Sequence, residues 1–264
     1  MKTLITFVHY PRKKIWPYKG NLNFFLRKGL TTNEDHFFNI IINDPKSNID
    51  IPAQKNLKKI QRQNVGYDFG AYKHSINEAG IENFERFIFI NDTCKGPFLP
   101  NYIPNNISWV DLFLKDIDEN VKLVGPSWFT QQKNVLRNCT HSKKVIRFLW
   151  RATKEGKRKH IQTYAFGTDK KGLELLIKNN IFKTEHLKKI DIITQSEVKA
   201  SQVILENNFE IKPFQLSQND QQQHCDIMKP GKYFGTTPHP LEFMFIKTNR
   251  IKNKTINNYT SWMK

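Results

Sequence analysis

The chain has 264 residues, of which 38% are hydrophobic and 20 are phenylalanine, so it holds enough apolar material for one large domain. Its formal net charge of +18 at pH 7 favours an anionic partner, which composition leaves open between nucleic acid, an anionic membrane surface and a phosphorylated small molecule. Three cysteines without paired metal spacing disfavour a disulfide framework and a zinc site, and no apolar run approaches the ~18 residues that span a bilayer.

The first hundred residues alternate between short apolar runs and amphipathic segments. Runs rich in branched and aromatic residues predict buried strands, whereas apolar residues at helical spacing predict helices. In chain order the patterns predict a strand in TLITFVHY (3–10), a helix or turn in NLNFFLRKGL (21–30), strands in FFNIIIND (37–44) and LKKIQRQ (57–63), a helix in FGAYKHSINEAG (69–80), and a strand in RFIFIND (86–92).

The rest of the chain continues this alternation. The patterns predict a strand in VKLVGPSW (121–128), a strand, a turn and a helix in HIQTYAFGTDKKGLELLIKNN (160–180), a helix in TQSEVKASQVILENNF (194–209), a strand in EIKPF (210–214), and a strand or the start of a terminal helix in EFMFIKTN (242–249). Residues 213–238 are polar and carry no clear pattern. Strands that alternate with helices at this spacing predict an α/β fold with one domain built on a mostly parallel sheet.

Polar residues follow several of the predicted strands. In open α/β sheets, ligands bind at the carboxyl ends of the strands, so these residues are the first candidates for a site. They are His9, Asn43 with Asp44, Asn64 with Asp68, and Asn91 with Asp92. We therefore expect the functional site at that edge of the sheet.

Two of these strand ends lie in longer motifs. In NVGYDFGAYKHSINEA (64–79) Asn-x-Gly opens a predicted helix, and in RFIFINDT (86–93) an acidic residue ends the next strand. This order resembles the GT-A family of glycosyltransferases. QTYAFGTDKKGLELL (162–176) is similar to the strand and helix that follow the acceptor loop of that family, and SEVKASQVILENNFEI (196–211) is similar to the helix that carries an acidic residue in its inverting members.

More narrowly, NVGYDFGAY (64–72), FINDTCKGPFLP (89–100) and HPLEFMFIKTNR (239–250) resemble the rhamnan synthesis protein F-like glycosyltransferases and related viral and algal sequences. The resemblance implies a single GT-A-like, Rossmann-like α/β domain over residues 1–264, with a mostly parallel central sheet flanked by helices. Residues 1–100 would form its nucleotide-sugar-binding half, and residues 101–264 its acceptor-binding and catalytic half.

The resemblance also implies a divalent cation, Mn²⁺ or Mg²⁺, that Asp92 would hold against the donor diphosphate with His239 as a further ligand. These cations need few protein ligands because phosphates and water fill the other positions. Where GT-A enzymes carry Asp-x-Asp, however, this chain has Asn91, Asp92 and Thr93, which leaves one carboxylate and weakens the case for tight metal binding. Alternatively, Asn91 to Thr93 cap a turn or a helix, and His239 is an ordinary loop residue.

Six residues of the first half are expected to contact the donor. They are His9, Asn64, Gly66, Asp68, Asn91 and Asp92. Because Gly66 and Gly70 flank Asp68, the backbone can approach a ligand closely there, and the carboxylate can accept a hydrogen bond from a ribose or sugar hydroxyl. Alternatively, Asp68 is the N-cap of a helix that starts near Phe69.

Glu197 stands where the resemblance places a general base. An inverting transfer needs a carboxylate that takes the proton of the acceptor hydroxyl as this hydroxyl attacks the anomeric carbon. In the alternative, Thr194 or Ser196 caps the helix and Glu197 lies in its first turn, where its charge suits the helix dipole. Lys247 and Arg250 either serve the diphosphate or are solvated.

Three aromatic residues are candidate acceptor contacts, because sugar rings stack on aromatic faces. They are Trp109, Trp128 and Phe129. Trp128 and Phe129 follow a predicted strand and so should lie near its end, which makes them the stronger pair. The alternative is that these side chains belong to the core.

Together these features predict an inverting glycosyltransferase that moves a hexosyl or deoxyhexosyl group from a UDP- or dTDP-linked donor to a glycan or lipid-linked glycan, in surface polysaccharide or glycoprotein glycan synthesis. We expect a cytoplasmic protein with peripheral contact to the anionic cytoplasmic face of a membrane. Basic residues are scattered and no nucleic-acid-binding motif is present, so no nucleic-acid partner is expected. The rival classes are a basic nucleic-acid-binding protein and a catalytically inactive nucleotide-sugar binder.

Overall fold

The computed structural model describes residues 1–11, 20–130, 159–185, 187–214, 231, 233, 235–248 and 254–262. The strands are β1 (Thr3–His9), β2 (His36–Ile42), β3 (Leu57–Gln61), β4 (Arg86–Asn91), β5 (Cys94–Lys95), β6 (Val121–Gly125), β7 (Trp128–Thr130), β8 (Lys159–Ile161), β9 (Ala165–Asp169), β10 (Glu210–Pro213) and β11 (Ile246–Lys247). The α-helices are α1 (Asn21–Lys28), α2 (Tyr67–Ala79), α3 (Trp109–Leu114), α4 (Lys170–Lys178), α5 (Lys189–Ile192), α6 (Lys199–Glu206) and α7 (Lys254–Trp262). A 3₁₀ helix covers Ile81–Asn83, and a π-helix, Ile193–Val198, joins α5 to α6.

Seven strands form the central sheet in the order β10–β6–β9–β4–β1–β2–β3. Neighbouring strands run parallel, except that β9 is antiparallel to both β4 and β6. Helices α2, α4 and α6 pack on one face of the sheet, and α1, α3 and α7 pack on the other. The predicted α/β class, with a mostly parallel sheet flanked by helices, is therefore confirmed.

The long apolar runs of the sequence follow from this burial on both faces. Parallel strands covered by helices on two sides read as nearly continuous hydrophobic segments, and successive side chains of a strand point to opposite faces. In β1, Leu4 and Val8 face the core that includes α2, whereas Ile5 and Phe7 face the core that includes α1. Phe7 stacks on Phe25 of α1 with ring centroids 4.4 Å apart. One short run thus contributes to two cores.

Several elements differ from the sequence predictions. The helix predicted in residues 194–209 begins earlier, at Lys189, and contains the π-helical turn. The late segment EFMFIKTN provides the short strand β11, which pairs with β5 in a separate antiparallel ribbon, while α7 is a distinct terminal helix. Strands β7 and β8 form a second small ribbon. Helix α3 was not predicted.

Cys94 is buried and carries a free thiol. The other cysteines, Cys139 and Cys225, lie outside the described residues. Among the helices of the described ranges, none combines the length and the apolar character that crossing a bilayer requires.

Candidate active site

The carboxyl ends of β1 and β4 mark the point at which the strand order of the sheet reverses. From β1 the chain proceeds outward through β2 to β3, and it then returns to β4 on the other side of β1. In open α/β sheets the ligand crevice lies at such a point. His9 ends β1 and Asn91 ends β4, so the fold brings together residues that are distant in sequence.

Asp92, the residue after β4, is held firmly at this edge, and its side chain is only 3% exposed. Its Oδ2 accepts a hydrogen bond from the backbone N–H of Tyr10 at 3.1 Å and lies 2.7 Å from Nδ1 of His9. The His9 ring nitrogen lies close to the carboxylate but makes no hydrogen bond to it among the described residues. Asn21 of α1 fixes the backbone, because its Nδ2 donates to the carbonyl of Asp92 at 2.8 Å. The predicted donor residues His9 and Asp92 therefore lie together.

Asn91 links this edge to α2 through both ends of its amide. Its Nδ2 donates to Oδ2 of Asp68 at 2.9 Å, and its Oδ1 accepts from the backbone N–H of Thr93 at 3.1 Å and from the Thr93 hydroxyl at 2.5 Å. The turn-capping alternative thus applies to Asn91, whereas the Asp92 carboxylate faces His9. Of the predicted donor residues, His9, Asp68, Asn91 and Asp92 form one connected cluster.

Asp68 lies in the first turn of α2 and is not its N-cap. Helix α2 begins at Tyr67, and its N-cap is Gly66, which offers no side chain. The alternative that Asp68 caps a helix starting near Phe69 is therefore wrong. Its carboxylate accepts a hydrogen bond from Asn91 instead, and so faces the end of β4.

The two glycines of the motif NVGYDFGAY serve the backbone of the loop before α2. Gly66 has a φ of +73°, and a Cβ there would lie 2.5 Å from Oγ1 of Thr184, a hydroxyl that donates to the Gly66 carbonyl at 3.0 Å. A Cβ at Gly70 would overlap the carbonyl oxygen of Val65. Only glycine supplies both the left-handed conformation and the close approach. The two glycines therefore allow the loop to place Asp68 at the strand ends. Gly66 thus contributes to the site through the backbone, and a direct donor contact by Gly66 stays a prediction.

The same loop is tied to the ends of β2 and β3. The guanidinium of Arg62 donates to Oδ1 of Asn43 and to the carbonyl of Val65, both at 2.7 Å. Nδ2 of Asn43 donates in turn to the carbonyl of Tyr67 at 3.4 Å. Among the described residues, Asn64 makes no hydrogen bond to the cluster around Asp92, and its Oδ1 is shielded from solvent without a hydrogen-bond partner. A donor-binding role for Asn64 stays a prediction.

Glu197 lies in the π-helix between α5 and α6. The alternative that it occupies a first helical turn is wrong, because the helix starts eight residues earlier, and the Thr194 hydroxyl donates to the carbonyl of Asp191 rather than capping. A π-helical turn inserts extra backbone and rotates the side chains along it, and such turns are frequent at functional sites. Glu197 is half-buried and has no hydrogen-bond or ion-pair partner within the described ranges.

Tyr72 is a buried side chain on which both Glu197 and the donor-side cluster act electrostatically. Its side chain is completely buried, and its hydroxyl finds no hydrogen-bond partner in the described part of the chain. Burial raises the pKa of Tyr72 well above its ordinary value. Further contributions in the same direction come from nearby acidic groups, which are Asp68, Cys94, Glu197 and Asp92. Carboxylates from both halves of the sequence therefore contribute to raising the pKa of this one buried hydroxyl.

The three aromatic acceptor candidates differ in how far their side chains are buried and described. Trp109 is 2% exposed and its Nε1 donates to the carbonyl of Gly29 at 2.8 Å, so it belongs to the core and is wrong as an acceptor contact. Trp128 is half-buried in β7, with the ammonium of Lys159 4.5 Å from its ring centroid. The side chain of Phe129 lies outside the described residues. An acceptor role for Trp128 and Phe129 stays a prediction.

A divalent cation held by Asp92 and His239 stays a prediction. Within the described ranges, no three His, Cys, Asp or Glu side chains lie together as a metal site. One oxygen of Asp92 is already engaged by Tyr10 and His9. Nδ1 of His239 accepts from the backbone N–H of Leu241 at 3.1 Å, and its ring packs against Tyr259. Arg250, the other late candidate for the diphosphate, is outside the described part.

Sequence reasoning missed three residues that shape this edge. Tyr72 follows Asp68 by four positions, a helical spacing that places both on one face, and this signal was available in the sequence. Asn21 and Thr184 contact the site from positions far along the chain, and no local pattern marks them.

A scan against protein-family models matches residues 53–230 to rhamnan synthesis protein F. The match covers well over half of the chain. The chain belongs to the rhamnan synthesis protein F family. No curated protein matches the sequence. The part that matches rhamnan synthesis protein F includes Gly66, Asp68, Asn91, Asp92 and Glu197, whereas the two histidine candidates fall outside it.

Proposed function

We propose that the chain is an inverting glycosyltransferase that moves a sugar from a nucleoside diphosphate to a hydroxyl of a glycan. The observation that carries the proposal is the cluster of Asp68, Asn91 and Asp92 at the reversal point of the sheet. Glu197 acts electrostatically on the same buried tyrosine, Tyr72, as the two aspartates do. Membership of the rhamnan synthesis protein F family supports a glycosyltransferase role in polysaccharide synthesis.

The donor lies along the carboxyl ends of β1 and β4, with its diphosphate beside the turn after β4. Asp68 accepts a hydrogen bond from a ribose or sugar hydroxyl. Asn91 holds the Asp68 carboxylate, while Tyr10 holds that of Asp92 beside His9. Side chains that are already fixed lose little conformational freedom on binding, so this edge is preorganised for a polar ligand.

Glu197 is the base of the reaction. It takes the proton of the acceptor hydroxyl while that oxygen forms a bond to the anomeric carbon of the donor. The bond from this carbon to the diphosphate oxygen breaks, its electron pair leaves with the nucleoside diphosphate, and the configuration at the carbon inverts. A half-buried carboxylate with no hydrogen-bond partner in the described ranges suits this task, because no bond has to break before it accepts the proton.

The donor is a dTDP- or UDP-linked sugar, and the family name favours a deoxyhexose such as rhamnose. The acceptor is a glycan or a lipid-linked glycan that Trp128 and Phe129 contact. The protein works in the cytoplasm, where its net charge of +18 draws it to the anionic face of a membrane. Residues 1–100 bind the donor, and residues 101–264 bind the acceptor and supply the base.

A thermal-shift panel tests the proposal. A ligand that binds only the folded state raises the melting temperature by mass action, so dTDP, UDP, dTDP-rhamnose and UDP-glucose should include at least one stabilising ligand. Asp68→Ala should lose ~1 to 3 kcal/mol of binding free energy for that ligand, the cost of deleting a hydrogen bond to a charged group. Asp118→Ala is the control, since Asp118 accepts backbone hydrogen bonds at the opposite edge of the sheet.

Three results would contradict the proposed function. Absence of any shift with every nucleotide, in a folded protein, removes it. Salt-sensitive stabilisation by single-stranded DNA or RNA alone identifies a nucleic-acid-binding protein instead. Nucleotide-sugar binding without hydrolysis or transfer to any glycan identifies an inactive binder.

A further inference from the structure

One oxygen of Asp92 is engaged by Tyr10 and lies beside His9, which raises the question of which group neutralises the charge that develops on the leaving diphosphate. This question rests on the proposed function. The chemistry requires a cation or strong hydrogen-bond donors at that position. The described residues offer a lysine there.

Lys247 lies beside the turn that carries Asp92. It belongs to β11 and pairs with Cys94 of β5, two residues after Asp92. The next residue, Thr248, locks this arrangement: its backbone N–H donates to the carbonyl of Thr93 at 2.9 Å, and its hydroxyl accepts from Asn21 at 2.8 Å. Asn21 also donates to Asp92. Lys247 is therefore held at the edge where the diphosphate is proposed to bind.

The ammonium group of Lys247 lies on an aromatic ring rather than on a carboxylate. Its Nζ is 5.4 Å from the ring centroid of Tyr164, the residue whose carbonyl accepts from the backbone N–H of Asn91 at 2.9 Å. Lys247 is half-buried and has no hydrogen-bond or ion-pair partner among the described residues. A half-buried cation that contacts only the face of a ring retains its capacity to bind an anion.

Lys247 and the acidic groups of the site act electrostatically on the same buried thiol. Burial raises the pKa of the Cys94 thiol, and the positive charge of Lys247 offsets part of this rise. The negative charges of Asp92 and Asp68 raise the pKa of Cys94 further. The pKa of this one buried thiol is therefore affected by the charges of the lysine and of both carboxylates of the donor-side cluster.

Two other basic residues described near this edge are less suited to this task, because one points to the opposite face and the other is already hydrogen-bonded. Lys95 is the next residue of β5, its side chain points to the opposite face, and its Nζ lies 5.6 Å from the ring centroid of Phe24. The Arg62 guanidinium binds Asn43 and the carbonyl of Val65.

We infer that the ammonium group of Lys247 binds the diphosphate of the donor in place of a divalent cation, so that this transferase works without a metal ion. Its N–H groups donate to the diphosphate oxygens, on which negative charge grows as the bond to the anomeric carbon breaks. No proton is transferred, and the electron pair stays with the leaving group. The ring of Tyr164 holds the ammonium in position.

Calorimetric titration of dTDP and UDP tests this inference, with thymidine and uridine as ligands that lack phosphate. In EDTA, the wild-type protein should bind at least one diphosphate, and adding Mn²⁺ should change its affinity by less than about threefold. Lys247→Met should weaken diphosphate binding roughly 10- to 100-fold, the loss typical of charge-assisted hydrogen bonds, with nucleoside affinity unchanged. Lys247→Arg should restore most of the affinity.

Lys115→Met is the matched control, because Lys115 also lies over an aromatic ring, that of Phe214, which follows the outermost strand β10. It should bind both diphosphates as the wild type does. Binding that disappears in EDTA and returns with Mn²⁺ overturns the lysine inference and leaves the proposed function standing. Equal diphosphate affinity in a folded Lys247→Met protein also overturns it. Absence of diphosphate binding under every condition overturns both.

Discussion

At the scale of single residues, two carboxylates of the site have different surroundings and suit different tasks. Asp92 is enclosed and engaged by His9 and Tyr10, so it is a fixed structural charge. Glu197 is half-buried without a hydrogen-bond or ion-pair partner in the described part of the chain, so it can take up a proton without breaking a contact. Burial and hydrogen bonding thus separate the two roles.

Glu197→Gln separates catalysis from binding. Glutamine keeps the shape and most of the hydrogen bonding of glutamate but cannot take the proton, so transfer should fall roughly 10²- to 10⁴-fold while donor affinity stays nearly unchanged. Steady-state release of nucleoside diphosphate measures the first quantity, and calorimetry measures the second. Glu206→Gln, an exposed change in α6, is the control and should keep both at wild-type values.

Wild-type transfer by a folded Glu197→Gln protein would place the base elsewhere. Asp169 is not a substitute, since its carboxylate caps α4 through the N–H of Gly172 and accepts from Lys122 at 2.6 Å. Those contacts lie at the opposite edge of the sheet.

At the scale of elements, the loop before α2 decides whether the site forms. The motif NVGYDFGAY contains two glycines at positions where a Cβ has no room. At Gly66 the Cβ would overlap Thr184, and at Gly70 it would overlap the carbonyl of Val65. The result is a helix whose first turn starts beside the ends of β1 and β4, so that Asp68 reaches Asn91.

Gly70→Ala tests this packing, because the close approach predicts a lower free energy of unfolding where a free helix position would predict a higher one. In a helix with free space, replacing Gly by Ala stabilises the fold by about 0.5 to 1 kcal/mol. At Gly70 the new methyl group overlaps the Val65 carbonyl, so we expect destabilisation of ~1 to 3 kcal/mol, as in other overpacked sites. Chemical denaturation measures the free energy of unfolding. A stabilised variant would show that α2 does not approach the loop as closely as described.

Elements with continuous apolar runs were predictable from the sequence, and elements defined by tertiary pairing were not. Strands β1, β2 and β4 carry apolar runs that strand burial explains, and each was predicted. The antiparallel direction of β9 depends on which strands it joins, and the π-helical turn at Glu197 depends on backbone hydrogen bonds. Neither leaves a pattern in residue types.

At the scale of the whole molecule, the candidate site joins segments that are far apart in sequence. The carboxyl ends of β1 and β4 form it, α2 contributes Asp68, the π-helix contributes Glu197, and the β5–β11 ribbon contributes Lys247. The sequence predicted the strand-end cluster because parallel strands share one edge. It could not predict which distant segments meet there, because those contacts form only when the sheet is assembled.

Hydrogen–deuterium exchange with the nucleotide that most raises the melting temperature, dTDP or UDP, tests the location of the site most directly. Bound nucleotide should slow backbone exchange in residues 64–70, 91–95 and 246–248, because these segments surround the proposed diphosphate position. Exchange in residues 118–121 and 170–172, at the opposite edge of the sheet, should not change. Protection at that opposite edge, without any at the first three segments, would contradict the account.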